Sequence, residues 1–188
     1  MFVRMSTREA TTTIEEPVAL ASAAAADLDL GAFIDAHYDR LLGLARLVGR
    51  DATDAADAVQ VALERAWKER RSLRDPSRLR PWLDRIVVRE AIRIDRRRTG
   101  LFRLLRPIRQ IDVDQPRQAA ADVAPELAAL RVAFAQLSAE QRAAVALHLH
   151  LGYTVAETAV LVGAPEETVR SRLRLARERL RRELEDPH

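Results

Sequence analysis

From Ala32 onward, apolar residues recur at the three-to-four-residue spacing of amphipathic helices. Phe33, Ile34, Leu41, Leu44, Ala45 and Val48 line a first helix that ends near Gly49. Asp51 then caps a second, whose core face is Ala55, Val59, Ala62, Leu63, Ala66 and Trp67. Asp57, Gln60, Glu64 and Lys68 occupy its opposite face. A polar loop, 70–80, contains Asp75-Pro76-Ser77 and leads into a third helix started by Pro81. There Trp82, Leu83, Ile86 and Val87 face inward, while Arg85, Arg89, Arg93 and Arg96 lie along one side. That helix is expected to end in Arg96-Arg97-Arg98, before Thr99-Gly100. Trp67 and Trp82 both read as core anchors.

The periodicity lapses over 99–125, where Pro107, Pro116 and Pro125 stand among scattered Asp and Gln. A loop that long inside one compact domain is uncommon. The pattern therefore predicts two small helical domains, 32–98 and 126–184, joined by a flexible linker. Residues 1–31 are rich in Thr, Ala and Glu without sustained periodicity and read as a disordered tail, with Met5 an alternative start. The second block opens with a helix from near Glu126 to Ala135. Ser138 and Gln141 form a capping box at the start of another, expected to run to about Leu151.

Residues 154–182 carry the most specific local signal. Thr154 and Glu157 make a second capping box, and Gly163 suits the left-handed turn that stops a helix. Pro165, Glu166 and Glu167 suit the start of the next one. Val169, Leu173, Ala176 and Leu180 form its apolar stripe, with Arg170, Arg174, Arg177 and Arg181 at the same spacing on an adjacent flank. A capped helix, a glycine turn and an arginine-bearing helix make a helix-turn-helix, which places its second helix in a DNA major groove. Arginine suits forked contacts with phosphate and guanine.

Composition narrows the function classes. The 188 residues are rich in Ala, Leu, Arg and Glu, with few aromatics and six glycines, which favours an all-α fold. The basic side chains are 30 Arg and one Lys, Lys68. Residues 32–98 have a net charge of +5, whereas 126–188 are neutral overall, so the positive field sits mainly in the first block. With no cysteine there is no disulfide or thiolate chemistry. No apolar run reaches the roughly 20 residues of a membrane span, and Glu15 and Glu16 precede the Ala-rich run 18–26 where a signal peptide would be basic. The expectation is a cytoplasmic protein without membrane insertion. His148 and His150, two residues apart on a helix, point to different faces and have no acidic partner at ligand spacing, so no metal is expected. No nucleophile–base pair, phosphate-cradling loop or paired-carboxylate site is present, which predicts no catalysis, no cofactor and no small-molecule substrate.

Over 32–98 and 126–184 the chain resembles bacterial RNA polymerase sigma factors of the extracytoplasmic-function group. The residues that carry the resemblance are Asp54-Ala-Ala-Asp57-Ala-Val59-Gln60 with Trp67, Arg80-Pro81-Trp82-Leu83, and Arg96-Arg97-Arg98. In the second block they are Leu137-Ser138, Gln141-Arg142, Gly152-Tyr153-Thr154-Val155-Ala156-Glu157 and the stretch 163–173. Val61, Leu63, Arg89, Arg93 and Glu167 depart from residue types common in the family.

The resemblance implies that 32–98 is sigma region 2, which binds core polymerase and recognises and melts the −10 element. Asp54, Asp57 and Gln60 would face the polymerase, Arg85, Arg89, Arg93 and Arg96 the −10 DNA, and the loop 70–80 would hold an extruded base. Residues 126–184 would be sigma region 4, reading the −35 element through Thr168, Arg170, Ser171, Arg174 and Arg177. The implied partners are core RNA polymerase (the clamp and flap regions of its large subunits), promoter DNA and an anti-sigma factor. The competing readings are a stand-alone helix-turn-helix regulator, which would footprint duplex DNA without polymerase, and an interaction protein that does not touch DNA.

Overall fold

The computed structural model describes residues 29–105 and 125–185, and among these every regular element is helical. In the first block, α1 spans Leu30–Val48, α2 Ala52–Glu69 and α3 Leu79–Leu105. Two single 3-10 turns, Arg70–Ser72 and Pro76–Arg78, lie between α2 and α3. In the second block, α4 is Pro125–Ala135, α5 Ala139–Val145, α6 Val155–Val162 and α7 Glu166–Glu185. The expected linker and tail fall largely outside the described residues.

Local chemistry sets the helix starts. The Asp29 and Asp51 carboxylates accept from the Ala32 and Asp54 amides, so α1 and α2 begin with a satisfied donor. Asp75 does the same for Ser77 within the loop. Reciprocal capping boxes open α5 (Ser138 with Gln141) and α6 (Thr154 with Glu157). Gly163 ends α6 at φ 70°, where a side chain would be strained.

The first block is a three-helix unit. Along α2 the buried positions are Ala55, Ala58, Val59, Ala62 and Ala66. Four of the five are alanines, so α1 and α3 can approach its backbone closely. From those helices Leu41, Leu44, Val48, Leu83, Ile86 and Val87 fill the centre. Each such larger side chain contributes about 1.5–3 kcal/mol when fully buried.

Three expectations need correction. Helix α3 does not stop at Arg98; it continues through Thr99 and Gly100 to Leu105. One exposed glycine costs a helix only about 1 kcal/mol, too little to break one anchored by this core. The helix begun at Ser138 stays regular only to Val145, then widens over Ala146–His150, where the Leu151 amide donates to the Ala146 carbonyl five residues back. Trp67 is not a core anchor. It is 55% exposed, next to the buried alanine stripe but outside it, whereas Trp82 is buried as expected.

The two blocks touch extensively. Ala139, Ala143, Ala146, Leu147 and Leu161 of the second block belong to the same apolar cluster as the centre of the first. A smaller cluster of Ala144, Ala159, Val169 and Leu173 holds α5, α6 and α7 together.

Candidate nucleic-acid interface

In α7 the stripe Val169, Leu173 and Ala176 is buried and Leu180 half-buried, which orients the rest of the helix. Arg170, Arg174, Arg177 and Arg181 are all exposed, as their spacing predicts. Within the helix, Arg170 pairs with Glu166 and Glu167, Arg174 with Glu178, and Arg181 with Glu185. Exposed pairs at this spacing are worth only about 0.3–0.5 kcal/mol, so a phosphate readily displaces them. Thr168 and Ser171 are half-buried on other sides of the helix and do not join the arginine flank.

Along α3 the arginines are differently placed. Arg85 is half-buried and makes no hydrogen bond or ion pair among the described residues. Arg89 crosses to the second block, donating through Nε to the Leu161 carbonyl (3.0 Å) and through Nη2 to that of Val160 (2.9 Å). These carbonyls lie in the last turn of α6, the negative end of its dipole. Burial, with Arg85 and Arg65 nearby, pushes the Arg89 pKa below the usual arginine value. Arg93 pairs with buried Glu90 on its own helix, and Arg96 reaches Glu140 of α5. A cleft of about 400 Å³ separates this row from α7, lined by Arg89, Arg93, Arg96 and Arg97 on one wall and by Arg172 and Glu140 opposite.

On α2, Asp57, Gln60, Glu64 and Lys68 are exposed together. Asp54 is only partly exposed and is tied back, its carboxylate accepting from Arg98 Nη1 at 2.7 Å. Burial, then the carboxylates of Asp57 and Asp95, raise the pKa of Asp54. Trp67 adds to this face what the sequence reading placed in the core. It lies seven residues, two helical turns, beyond Gln60, and the Arg70 guanidinium stacks over its ring at 4.7 Å.

Residues given no individual role bind the blocks together. Arg142 is 1% exposed. Its Nε and Nη2 donate to the Val48 carbonyl at the end of α1 (2.8 and 2.7 Å), its Nη1 to the Leu137 carbonyl (2.7 Å), and Nη2 also to Asp95 of α3 (2.7 Å). Arg50 shares the same Asp95 oxygen. Asp84 is fully buried; it accepts from Arg40 and, at 2.8 Å, from the Tyr153 hydroxyl of the second block. Burial and the hydrogen bond to Asp84 push the Tyr153 pKa well above the usual tyrosine value. His148 Nδ1 donates to the Tyr153 carbonyl at 2.7 Å, which fixes the segment carrying that tyrosine. Gln141-Arg142 and Gly152-Tyr153 stood out in the sequence, but nothing local indicates that they reach the other block.

Comparison with known proteins identifies two matched segments. Residues 33–101 match the model for Sigma-70 region 2, and 127–180 that for Sigma-70, region 4. The chain is 37% identical over 146 residues to the ECF RNA polymerase sigma factor SigM of Mycobacterium tuberculosis, covering 78% of this chain and 72% of that protein. It is 35% identical over 173 residues to SigL of the same species, covering 89% and 96%. Among solved structures it resembles the sigma factor RpoE in complex with the anti-sigma factor NepR from Bartonella quintana, at a TM-score of 0.61 and 25% identity, over 85% of this chain and 99% of that one. It also resembles CnrH in complex with the cytosolic domain of CnrY, at a TM-score of 0.58 and 25% identity, over 90% and 97%.

Proposed function

Because this chain belongs to the extracytoplasmic-function group of RNA polymerase sigma factors, we propose that its exposed helix faces divide the work of promoter-specific initiation. The protein binds core RNA polymerase and promoter DNA and directs transcription initiation. The division we assign is region 2 over 32–98 and region 4 over 126–184.

Helix α7 reads the −35 element through Arg170, Arg174 and Arg177, with Thr168 and Ser171 at its margin. The observation that carries this is geometric: the apolar stripe of α7 is buried against α5 and α6, leaving the arginine flank exposed behind a capped, glycine-turned first helix. Arg85, Arg89, Arg93 and Arg96 of α3 track the −10 strand, and the loop 70–80 pockets an extruded base. Basic grooves of this kind hold single strands, and pocketing a base offsets part of the unpairing cost. Asp57, Gln60 and Asp54 face the polymerase clamp, and the second block contacts the flap. Trp67, on the same exposed face, is the aromatic anchor such an interface favours.

The chain supplies recognition and the polymerase the chemistry. We place it in the cytoplasm; no helix among the described residues is long and apolar enough to cross a membrane. An anti-sigma protein is the further partner assigned, by likeness to the sigma factor RpoE solved in complex with the anti-sigma factor NepR. Run-off transcription with core polymerase, with and without this chain, across a genomic promoter library tests the reading. A defined set of new start sites is expected; initiation unchanged at every promoter rejects it.

A further inference from the structure

We infer that the arginine-lined cleft between α3 and α7 is a binding site for one compact polyphosphate anion, in which adjacent phosphates are bonded to each other. Two of its arginines, Arg97 and Arg172, lie outside the proposed DNA and polymerase contacts.

The cleft carries far more positive than negative charge. Arg89, Arg93, Arg96, Arg97 and Arg172 line it, and Glu140 is the carboxylate among them. Glu140 is taken by Arg96, and Arg93 draws on Glu90, which Arg65 shares. Arg89 is held by two carbonyls and by no carboxylate among the described residues. Arg97 and Arg172 make no hydrogen bond or ion pair among the described residues. Guanidiniums from both walls thus share one cavity without a compensating anion. Arg85 and Arg65 add to the field: after burial, their charges are what lowers the Arg89 pKa. Like charges crowded into one concavity repel each other and together attract an anion, because a cleft lined by one sign focuses the field.

Size and chemistry narrow the ligand. The cavity of about 400 Å³ falls within the roughly 300–1,000 Å³ typical of small-molecule pockets. Arginine forks match phosphate oxygens two at a time. Arg97 and Arg172 approach from opposite walls, so an anion that reaches both must present charge on two sides within a short length. Phosphates bonded to one another do so. A DNA strand lying along α3 would meet Arg93, Arg96 and Arg97 but leave Arg172 without a phosphate. Helix α7 begins at Glu166, two residues beyond Ala164 in the cleft wall, so the positive end of its dipole adds to the same field. Glu166 and Glu167 turn to Arg170 on the exposed flank rather than to a cleft arginine.

Free polyphosphate and the polyphosphate tail of a nucleotide share this chemistry. Ile92 and Val162, which also line the cleft, offer apolar surface that only a nucleotide's base would use. Occupancy has a consequence for promoter binding that rests on the assignment of α3 to −10 DNA. An anion seated against Arg93 and Arg96 takes up guanidiniums that the −10 strand needs, so polyphosphate and single-stranded DNA compete for them.

Calorimetric titration of the full chain with sodium tripolyphosphate, at about 150 mM salt to screen diffuse surface binding, should show one anion per chain. Arg97→Ala combined with Arg172→Ala should weaken binding at least about tenfold, the loss expected of charge-assisted contacts. Arg46→Ala with Arg179→Ala removes the same charge from exposed positions outside the cleft and should change affinity by less than about twofold. ATP, titrated in the same way, separates the two sources. Tighter binding than tripolyphosphate assigns the site to nucleotides and equal or weaker binding to free polyphosphate; either supports the site if it depends on Arg97 and Arg172. No binding at that salt, more than one anion per chain, or equal losses in the two double variants overturns the proposal. Neither Arg97 nor Arg172 has a partner to lose, so the cleft variant should melt with wild type; if it melts early, exposed Arg97→Ala alone decides. Tripolyphosphate should also displace a fluorescein-labelled single strand of mixed sequence from wild type but not from the cleft variant. A strand whose affinity falls in that variant as far as that of tripolyphosphate would make the cleft a DNA groove and overturn the proposal. Run-off transcription without added polyphosphate reads the sigma-factor assignment separately: loss of promoter-directed starts refutes that assignment, whereas normal starts with no tripolyphosphate site refute only the anion site.

Discussion

Trp67 shows how one side chain changes an interface assignment. Its size and its place beside Ala66 suggest burial, yet the ring is exposed next to Gln60, Glu64 and Lys68. Trp67→Ala should leave the thermal midpoint within about 2 °C of wild type, since it uncovers no core. Affinity for core polymerase should fall by at least roughly 30-fold, the loss of about 2 kcal/mol typical of a central aromatic anchor. Fluorescence anisotropy against labelled core enzyme measures it; unchanged affinity removes Trp67 from the interface. Glu140 gives a pH signature instead. Burial raises its pKa, but hydrogen bonds from Arg96, its own backbone amide and Ser138 outweigh that and hold it below 4.5. A depressed carboxylate contributes stability above its unfolded pKa and loses it as pH falls through the folded value. Wild type should therefore melt above Glu140→Gln by on the order of 1–3 °C at neutral pH, a modest gap because Arg96 is exposed, and the two should converge as the pH falls through the depressed value. A gap that does not narrow as the pH falls below the usual glutamate range contradicts the ion pair.

At the scale of elements, the turn between α6 and α7 is the most constrained. Gly163 holds φ 70°, and a Cβ there would lie 2.9 Å from Arg89 Nη2. Gly163→Ala should cost about 1–2 kcal/mol in backbone strain and lower the melting midpoint by roughly 2–8 °C. It should also displace Arg89 from the α6 carbonyls. Thermal melts check the first and a crystal structure of the variant the second, and a neutral substitution would mean that the turn is not held as described. This turn was legible in the sequence because its determinants are local: Thr154, Glu157, Gly163 and Pro165 lie within one short stretch. The caps at Asp51 and Ser138 were legible for the same reason. The continuation of α3 was not, since Thr99-Gly100 is a weak stop that tertiary packing overrides. Nor was the widened turn at 146–150, because apolar spacing does not distinguish hydrogen bonds four residues back from those five back. The exposed arginine flank of α7 followed from periodicity alone, whereas the family resemblance supplied its proposed −35 role and the proposed −10 and polymerase faces.

For the whole molecule, the decisive contact was the least visible. A pattern of apolar positions says that Leu147 and Leu161 face something, without saying that it is the other block. Arginine ordinarily reads as a surface residue, and Arg142 is among the most buried side chains here. Its removal should be felt globally. Arg142→Leu takes one donor from Asp95, which retains Arg50, and removes the donor to the Val48 and Leu137 carbonyls. Breaking a buried pair in this way costs about 3–5 kcal/mol. Calorimetry should show one cooperative transition for wild type and a lower, split pair for the variant. A single transition shifted by less than about 1 kcal/mol would show that the blocks unfold independently of this contact.

Lys68 has a practical consequence of another kind. It is the only lysine in the chain, and it is exposed on the α2 face that carries Asp57, Gln60 and Trp67. Amine-directed chemistry thus has one internal target. An activated ester attaches a dye or cross-linker at Lys68, apart from the terminal amine, without any engineered residue. Acetylation of that same nitrogen would erase one positive charge on the face proposed to meet the polymerase while leaving every arginine of α3 and α7 untouched.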